Sequence, residues 1–219
     1  MNYLIIIPAY NEERYILDLL TNLKTVAKGV VVVDDGSMDS TAAIATAAGA
    51  HVISRPHKGK GAALKTGFRY ALDNGYDWVI TMDSDGQHDW QDVPRFLDAM
   101  SLNGSGGDIY VGSRMDEAVK MPLLRRAANR FMSGLISRLV GCSISDTQCG
   151  FRAIKAKVLA NVRLETSHYD TESELIIKSG KAGYSIRSIP IKTIYNGAPS
   201  NINKFIDTAR FIKLLCMVL

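Results

Sequence analysis

Short runs of apolar and β-branched residues alternate with helical periodicity along the first half of the chain. Strands are predicted at residues 4–7, 30–33, 51–54 and 78–82, and Pro8 is expected to end the first. Apolar residues spaced as on one helical face predict helices at residues 11–23, 41–48 and 61–72. Buried strands separated by helices are typical of an α/β fold with a mostly parallel, doubly wound sheet flanked by helices.

Beyond residue 108 the pattern is looser. It predicts a strand at residues 109–112, a helix at residues 123–140 and a loop at residues 146–150. A chain of 219 residues without internal repeats or a low-complexity linker fits a single domain over residues 1–219. Within this domain we expect residues 1–105 to form a nucleotide-binding half and residues 106–219 to form an acceptor-side half.

Composition and charge exclude several classes of protein. The chain is 47% hydrophobic and 22% charged, and Lys plus Arg exceed Asp plus Glu only by 26 to 22, so nucleic acid is not an expected partner. Three cysteines without close pairing indicate a reduced, cytoplasmic compartment. No apolar stretch approaches ~20 residues and the first strand lacks a basic leader, so any contact with a membrane is expected to be peripheral.

Polar residues follow the predicted strands, at the positions where open α/β sheets bind their ligands. After the strand at residues 78–82, the carboxylates of Asp83 and Asp85 offer hard oxygen ligands that suit Mg²⁺ or Mn²⁺, which in turn bridge phosphate oxygens. The alternative is a turn with two solvated aspartates. His88 is interpreted as a structural histidine rather than a ligand.

Three further polar clusters indicate a nucleotide. Asp34 and Asp35 end the second strand, where carboxylates can accept hydrogen bonds from a base or ribose, and residues 8–12 add an aromatic face and a carboxylate. Residues 58–61 precede a helix, so their N–H groups and lysines can face a phosphate. Turn formation and helix capping are the alternative explanations. The P-loop order, the dinucleotide-binding glycines and the nucleophile elbow of serine hydrolases are absent from the sequence.

Six motifs in order resemble those of family 2 glycosyltransferases of the GT-A fold, in particular the dolichyl- and polyprenyl-phosphate sugar synthases. They are Pro8-Ala9-Tyr10-Asn11-Glu12, Val33-Asp34-Asp35-Gly36-Ser37, Gly59-Lys60-Gly61, Asp83-Ser84-Asp85-Gly86-Gln87-His88, Gly112-Ser113-Arg114 and Asp146-Thr147-Gln148-Cys149-Gly150-Phe151-Arg152. The resemblance spans nearly the whole chain. It implies the GT-A (nucleotide-diphospho-sugar transferase) fold. It also implies inverting transfer of a hexose from a nucleotide sugar, of the UDP-glucose or GDP-mannose type, to a polyprenyl or dolichyl phosphate.

The resemblance also implies roles for individual residues. Asp83, Asp85 and Gln87 are expected to bind Mg²⁺ or Mn²⁺. The donor-binding set is Pro8, Ala9, Tyr10, Glu12, Asp34, Asp35, Lys60, Asp83, Ser84 and Ser113, the catalytic set is Asp85, Arg114, Arg125 and Arg126, and the possible acceptor set contains Arg130 and Gln148. An acceptor phosphate is ionised at neutral pH and needs no general base. A hydroxyl acceptor needs one, for which Asp170 and Glu172 are the candidates.

The helix predicted at residues 123–140 is amphipathic and basic. Leu124, Ala127, Ala128, Phe131, Leu135 and Leu139 fall on one side, and Arg126, Asn129, Arg130, Ser133 and Ser137 fall on the other. Such a helix can lie on an anionic membrane with its arginines near lipid phosphates. The alternative is a core helix with a solvated polar face.

Three other functions stay open at the level of the sequence. The first is a family 2 glycosyltransferase that acts on a sugar hydroxyl in cell-surface polysaccharide synthesis. The second is a nucleotidyltransferase, since that class also places acidic metal sites on α/β sheets. The third is a non-catalytic module that binds a nucleotide sugar. The sequence does not indicate the oligomeric state.

Overall fold

A mixed seven-stranded sheet forms the centre of the structure, a computed structural model that describes residues 1–101, 106–115, 121–194 and 204–218. The strands are β1 (Tyr3–Ala9), β2 (Val30–Asp34), β3 (His51–Ser54), β4 (Trp78–Thr81), β5 (Ile109–Ser113), β6 (Arg152–Lys155) and β7 (Ile186–Pro190). Their order is β3-β2-β1-β4-β6-β5-β7. Every pairing is parallel except those of β6, which runs antiparallel to β4 and β5. The predicted α/β fold with a mostly parallel sheet is confirmed.

Helices flank this sheet. They are α1 (Ile16–Leu23), α2 (Thr41–Ala47), α3 (Lys60–Asp73), α4 (Val93–Ser101), α5 (Leu123–Val140), α6 (Ala156–Asn161), α7 (Asp170–Lys181) and α8 (Lys204–Val218). Helix α3 contacts β1 and β2, and α7 contacts both α5 and α8. The predicted boundary after residue 105 falls at residues 102–105, outside the described part of the chain. Strands β5 to β7 of the second predicted half continue the sheet of the first half.

Pro8 lies inside β1, so the prediction that it ends this strand is wrong. Pairing between β1 and β4 stops at Ile6 and Thr81, and Pro8 is paired in register with Val33 of β2. The carbonyl of Pro8 faces the β4 side, where it accepts a hydrogen bond from Ser84 Oγ at 3.0 Å. The N–H group that proline lacks would point to the same side, beyond the last paired residue of β4, so no ladder hydrogen bond is lost.

The first helix begins at Ile16, five residues later than predicted from the sequence. Asn11 adopts a positive φ of 55° and therefore does not continue into a helix. Its backbone N–H donates to Ser37 Oγ at 3.0 Å, and its side-chain oxygen accepts from the N–H of Met38 at 2.8 Å. These bonds join the loops after β1 and β2. The predicted apolar face of α1 is buried as expected.

Helix α5 has the predicted bounds, but it turns its polar side toward the protein. Asn129, Ser133 and Ile136 are buried, whereas Leu123, Leu124 and Phe131 are 72%, 76% and 73% exposed. The alternative of a core helix with a solvated polar face is therefore wrong. Exposed large apolar side chains on one helical face are typical of an interaction surface. No helix in the described part of the chain is long and apolar enough to cross a bilayer.

Candidate active site

The carboxyl ends of β1, β2 and β4 open into a cavity of about 750 Å³. Because neighbouring parallel strands end at the same edge of a sheet, the polar residues that follow them meet here. Fourteen residues predicted from the sequence line the cavity: Pro8, Ala9, Tyr10, Glu12, Asp35, Lys60, Asp83, Ser84, Asp85, Gln87, Arg114, Arg125, Gln148 and Glu172. Residues of α5 and α8, including Arg125 and Arg210, form part of the wall.

Three carboxylates at the cavity repel one another. Burial, together with the charges of Asp85, Asp83 and Asp39, raises the pKa of Glu12 to about 7. Burial and the charge of Asp83 also raise the pKa of Asp85. A cation bound among these groups would relieve the repulsion, as opposite charge favours the ionised form of a carboxylate.

Lys60 neutralises part of this negative charge. Its Nζ lies 2.6 Å from Asp83 Oδ1 and 2.9 Å from Glu172 Oε2. Burial opposes ionisation of Lys60, but the two carboxylates outweigh it and raise the pKa of the ammonium group. Burial likewise opposes ionisation of Asp83, and the charge of Lys60 outweighs it and lowers the pKa of this carboxyl group. Gly150 leaves room for Asp83, since a Cβ there would lie 2.5 Å from Oδ1.

The oxygen ligands at the cavity fit a magnesium or manganese ion that phosphate oxygens help to hold. The side chains of Asp83, Asp85 and Gln87 supply two carboxylates and an amide, and the N–H of Gln87 donates to Asp85 Oδ1 at 2.9 Å. Among the described residues no group of three or more His, Cys, Asp or Glu side chains could hold a metal. Magnesium commonly needs only one or two carboxylates beside water and substrate phosphates. His88 is buried and accepts from the N–H of Asp83 at 3.3 Å, in line with a structural role.

An aromatic pair marks the end of the cavity near β1 and β2. The rings of Tyr10 and His57 are stacked with centroids 4.1 Å apart. Asp35 holds the loop that carries His57, because its carboxylate accepts from the N–H of Gly59 at 2.7 Å and pairs with Arg55. The outer face of this stack offers an aromatic surface that suits a nucleobase, and the buried Asp35 shapes the loop beside it.

Five predicted site residues lie outside the cavity lining. They are Asp34, Ser113, Arg126, Arg130 and Asp170. The carboxylates of Asp34 and Asp170 accept hydrogen bonds from backbone N–H groups of adjacent loop residues. Arg130 lies on the exposed part of α5. Their assigned roles remain predictions.

The cavity also contains residues that the sequence pattern does not single out. Among them are His57, Asn129, Tyr169, Arg210 and Arg152. Arg152 belongs to the last of the six motifs, which is a signal that could have identified it. The others come from loops and helices whose position over the sheet is set by tertiary packing, so no local pattern marks them.

The sheet and the cavity at its carboxyl edge have the arrangement of the GT-A fold. The structure superimposes on glucosyl-3-phosphoglycerate synthase from Mycobacterium tuberculosis, solved with Mn²⁺, UDP-glucose and phosphoglyceric acid, with a TM-score of 0.75 over 99% of this chain and 79% of that chain. Sequence identity is 21%, so this likeness concerns the fold alone. Residues 4–163 match the model of glycosyl transferase family 2, and the chain belongs to that family.

Three relatives are similar to this chain over most of their length. UDP-N-acetylglucosamine–dolichyl-phosphate N-acetylglucosaminyltransferase of Methanococcus voltae is 34% identical, over 87% of this chain and 85% of that protein. Dolichyl-phosphate hexose transferase of Haloferax volcanii is 30% identical, over 98% and 92%. Undecaprenyl-phosphate mannosyltransferase of Micrococcus luteus is 32% identical, over 87% and 83%. The sequence resemblance to polyprenyl-phosphate sugar transferases is thereby confirmed.

Proposed function

We propose that this protein transfers a hexose from a nucleotide sugar to a polyprenyl phosphate at the cytoplasmic face of a membrane, with Mg²⁺ or Mn²⁺ as cofactor. Relatives named as dolichyl-phosphate and undecaprenyl-phosphate transferases support the acceptor class. Those relatives are named for N-acetylglucosamine, hexose and mannose, so the sugar differs among them. UDP-linked and GDP-linked hexoses are both included in the proposal.

One observation carries the proposal. A single cavity joins the acidic residues Asp83 and Asp85 to Arg125 of α5, and α5 exposes large apolar side chains to the outside. A nucleotide sugar approaches from water, whereas the phosphate of a polyprenyl lipid stays at the membrane surface. The acidic end of the cavity would bind the metal ion and the nucleotide sugar. The basic end lies on α5, whose exposed apolar side chains can contact the membrane, so it would receive the lipid phosphate.

The residues of the cavity have complementary tasks in this reaction. Tyr10 binds the base. Asp83, Asp85 and Gln87 would hold the divalent cation, which would neutralise the diphosphate of the donor. Lys60 and Arg114 donate hydrogen bonds to phosphate oxygens and stabilise the negative charge that develops on the nucleoside diphosphate as it leaves. Attack by the acceptor from the opposite side of the anomeric carbon inverts its configuration.

The pairing of Glu172 supports a phosphate acceptor over a hydroxyl acceptor. The carboxylate of Glu172 lies 2.9 Å from Lys60 Nζ and 3.9 Å from an Nη atom of Arg152. The contact with Lys60 engages the carboxylate that a general base would have to offer to an acceptor hydroxyl. Asp170, the other candidate base, lies outside the cavity lining. A phosphate acceptor is already ionised and requires neither residue as a base.

Transfer is tested with the purified protein, vesicles that contain polyprenyl phosphate, and radiolabelled UDP-glucose, UDP-N-acetylglucosamine or GDP-mannose. We expect a lipid-extractable product with one donor in Mg²⁺ or Mn²⁺, and none with EDTA. The Asp85→Asn variant should be folded and inactive. Vesicles with dephosphorylated polyprenol serve as the control and should give no product.

Other outcomes of this assay contradict the proposal in distinct ways. Release of pyrophosphate instead of UDP or GDP identifies a nucleotidyltransferase. Transfer to a saccharide but not to the lipid, with loss of activity in Glu172→Gln, identifies a hydroxyl acceptor. Metal-dependent stabilisation by a nucleotide sugar without turnover of any donor identifies a binding module.

A further inference from the structure

Buried polar side chains join Arg114 to α5 behind the wall of the cavity. Nε and Nη2 of Arg114 donate to the two oxygens of Asp146 at 2.7 and 3.0 Å, and the backbone N–H of Arg114 donates to Asp146 Oδ2 at 3.2 Å. From the side of α5, Asn129 Nδ2 donates to Asp146 Oδ1 at 2.8 Å. Asp146 is completely buried, so these bonds are made without competition from water.

A second set of bonds fixes the orientation of Asn129. Ser133, one turn further along α5, donates from Oγ to Asn129 Oδ1 at 3.0 Å and accepts from the N–H of Thr147 at 2.9 Å. With its oxygen bound by Ser133, the amide of Asn129 presents its NH₂ group to Asp146. This network explains why α5 buries Asn129 and Ser133 and leaves its apolar side exposed.

Asp146 itself does not line the cavity, but two residues that it binds, Arg114 and Asn129, do. Any effect of Asp146 on a bound substrate is therefore transmitted by the residues that it contacts. Two parallel hydrogen bonds to one carboxylate fix the plane of a guanidinium group as well as its position. The orientation of Arg114 toward the acidic residues is therefore determined by Asp146, and the position of Asp146 is tied to α5 by Asn129.

We propose that Asp146 is a positioning residue for sugar transfer and that Asn129 makes this positioning depend on α5. The inference rests on the proposed function, in which Arg114 stabilises the leaving diphosphate. A guanidinium group that is already oriented stabilises developing charge without reorganisation at the moment of reaction. Because Asn129 moves with α5, contact of α5 with the membrane and the orientation of Arg114 are linked.

Two variants test the positioning role. Asp146→Asn removes the charge that orients Arg114, and Asn129→Leu removes the donor from α5 while the Arg114–Asp146 pair stays intact. We expect kcat to fall about 100-fold in Asp146→Asn, as for misplacement of a catalytic group by about 1 Å. We expect a smaller loss in Asn129→Leu. KM for the nucleotide sugar should change less than kcat in both, because the interaction is made in the transition state.

Asn22→Leu, the same exchange on α1 away from the cavity, is the control and should leave kcat unchanged. Removal of one member of a buried ion pair can unfold a protein. If Asp146→Asn does not fold, Asn129→Leu still carries the test. An unchanged kcat in folded Asn129→Leu and Asp146→Asn would overturn the inference.

Chemical rescue distinguishes positioning from a merely structural role. Low millimolar guanidinium chloride should restore part of the activity of Arg114→Ala, because Asp146 still binds a guanidinium ion there. The Arg114→Ala/Asp146→Asn double variant should show no rescue. Equal rescue in both variants would contradict the assignment of Asp146 as the residue that holds this group.

A spectroscopic measurement keeps this inference separate from the proposed function. In the 24.0 kDa protein, the Nε–H resonance of Arg114 should exchange slowly with water, since Nε is bonded to buried Asp146. It should vanish in Asp146→Asn and shift in Asn129→Leu. A wild-type protein without transferase activity contradicts the proposed function. A resonance that neither variant changes contradicts the network.

Discussion

The ammonium group of Lys60 lies between two carboxylates that face the cavity. It contacts Asp83, which we propose as a metal ligand, and Glu172 on α7. Its location means that Asp83 is neutralised before any divalent cation binds. A metal ion at Asp83 would share this carboxylate with Lys60, so the stabilising effects of the two cations should be coupled.

Lys60→Met should destabilise the protein by about 1 to 3 kcal/mol in EDTA, because two partly buried carboxylates lose their partner. Manganese should recover part of this loss by neutralising Asp83. Urea unfolding with EDTA and with Mn²⁺ measures both values. Lys24→Met, at an exposed lysine, should change stability by less than about 0.5 kcal/mol. An equal loss with and without Mn²⁺ would show that no metal ion reaches Asp83.

At the scale of elements, α5 differs most from an ordinary amphipathic helix. Its inward side carries Asn129 and Ser133, and its outward side carries Leu124 and Phe131. The inward hydrogen bonds compensate for the burial of polar groups. The outward apolar side chains then remain available for an interfacial contact, which is the role proposed here.

Replacing Leu124 and Phe131 by serine should leave thermal stability nearly unchanged, since both side chains are more than 70% exposed. Binding to anionic vesicles should weaken at least tenfold, because each side chain contributes about 1.5 to 3 kcal/mol when it leaves water. Vesicle sedimentation measures this affinity. Leu17→Ser, at a half-exposed leucine of α1, is the matched control and should not alter binding. Unchanged binding of the double variant would exclude this face of α5.

Strands β5, β6 and β7 are linked by one carboxylate. Asp108, just before β5, lies 3.0 Å from Lys155 Nζ and 2.8 Å from Lys157 Nζ, and it accepts from the N–H of Ser185 at 3.1 Å. Partial burial opposes ionisation of Asp108, but the hydrogen bonds from Lys157, Ser185 and Lys155 outweigh it and lower its pKa. The ionised carboxylate is therefore favoured in the folded state.

Because the pKa of Asp108 is lower in the folded than in the unfolded chain, its contribution to stability is present above about pH 4 and is lost as pH falls below that value. Asp108→Asn should cost about 1 to 2 kcal/mol at pH 7 and progressively less below pH 4. Urea unfolding across this range measures the difference. Asp98→Asn, at an exposed aspartate of α4, should show neither effect. A pH-independent difference for Asp108→Asn would contradict the assignment.

At the scale of the molecule, the two predicted halves meet where α3 begins. A Cβ at Gly61 would lie 1.9 Å from Thr171 Oγ1, and a Cβ at Gly59 would lie 2.3 Å from His168 Nδ1. The same Cβ atoms would lie 2.6 Å from the carbonyl oxygen of His168 and 2.8 Å from that of Ser167, so only glycine permits this close approach. The contact brings Lys60 from one half beside Glu172 from the other, so the cavity depends on close packing of both.

Gly61→Ala should destabilise the protein by about 1 to 3 kcal/mol through overpacking. It should also lower kcat, because α7 must move and carries Glu172 with it. Thermal unfolding and the transfer assay measure the two effects. Gly134→Ala is the control, since a Cβ there meets open space on α5 and alanine favours a helix by about 1 kcal/mol. A Gly61→Ala variant as stable as the wild type would show that α7 accommodates a methyl group at this position without cost.

Strands β1 to β5 and helices α1, α2, α3 and α5 were predictable because local patterns specify them. The apolar run of β2 and the 3.6-residue periodicity of α5 are local signals, and the structure has both elements. The short antiparallel strand β6 carries a buried arginine and no alternating pattern, so its position between β4 and β5 could not be predicted. Asn11 shows the same limit, since hydrogen bonds to another loop prevent the predicted helix start.

The sequence by itself determined the α/β class, the family and the residues that follow the strands, because these depend on local periodicity and on motifs in a fixed order. Only the tertiary structure decided which of those residues share a cavity. Lys60 contacts Glu172, and Arg114 contacts Asp146. These partners are far apart in the sequence, and no periodic pattern relates them. The tertiary structure also decided that α5 turns its polar side inward, because the hydrogen bonds of Asn129 and Ser133 are made with a distant loop.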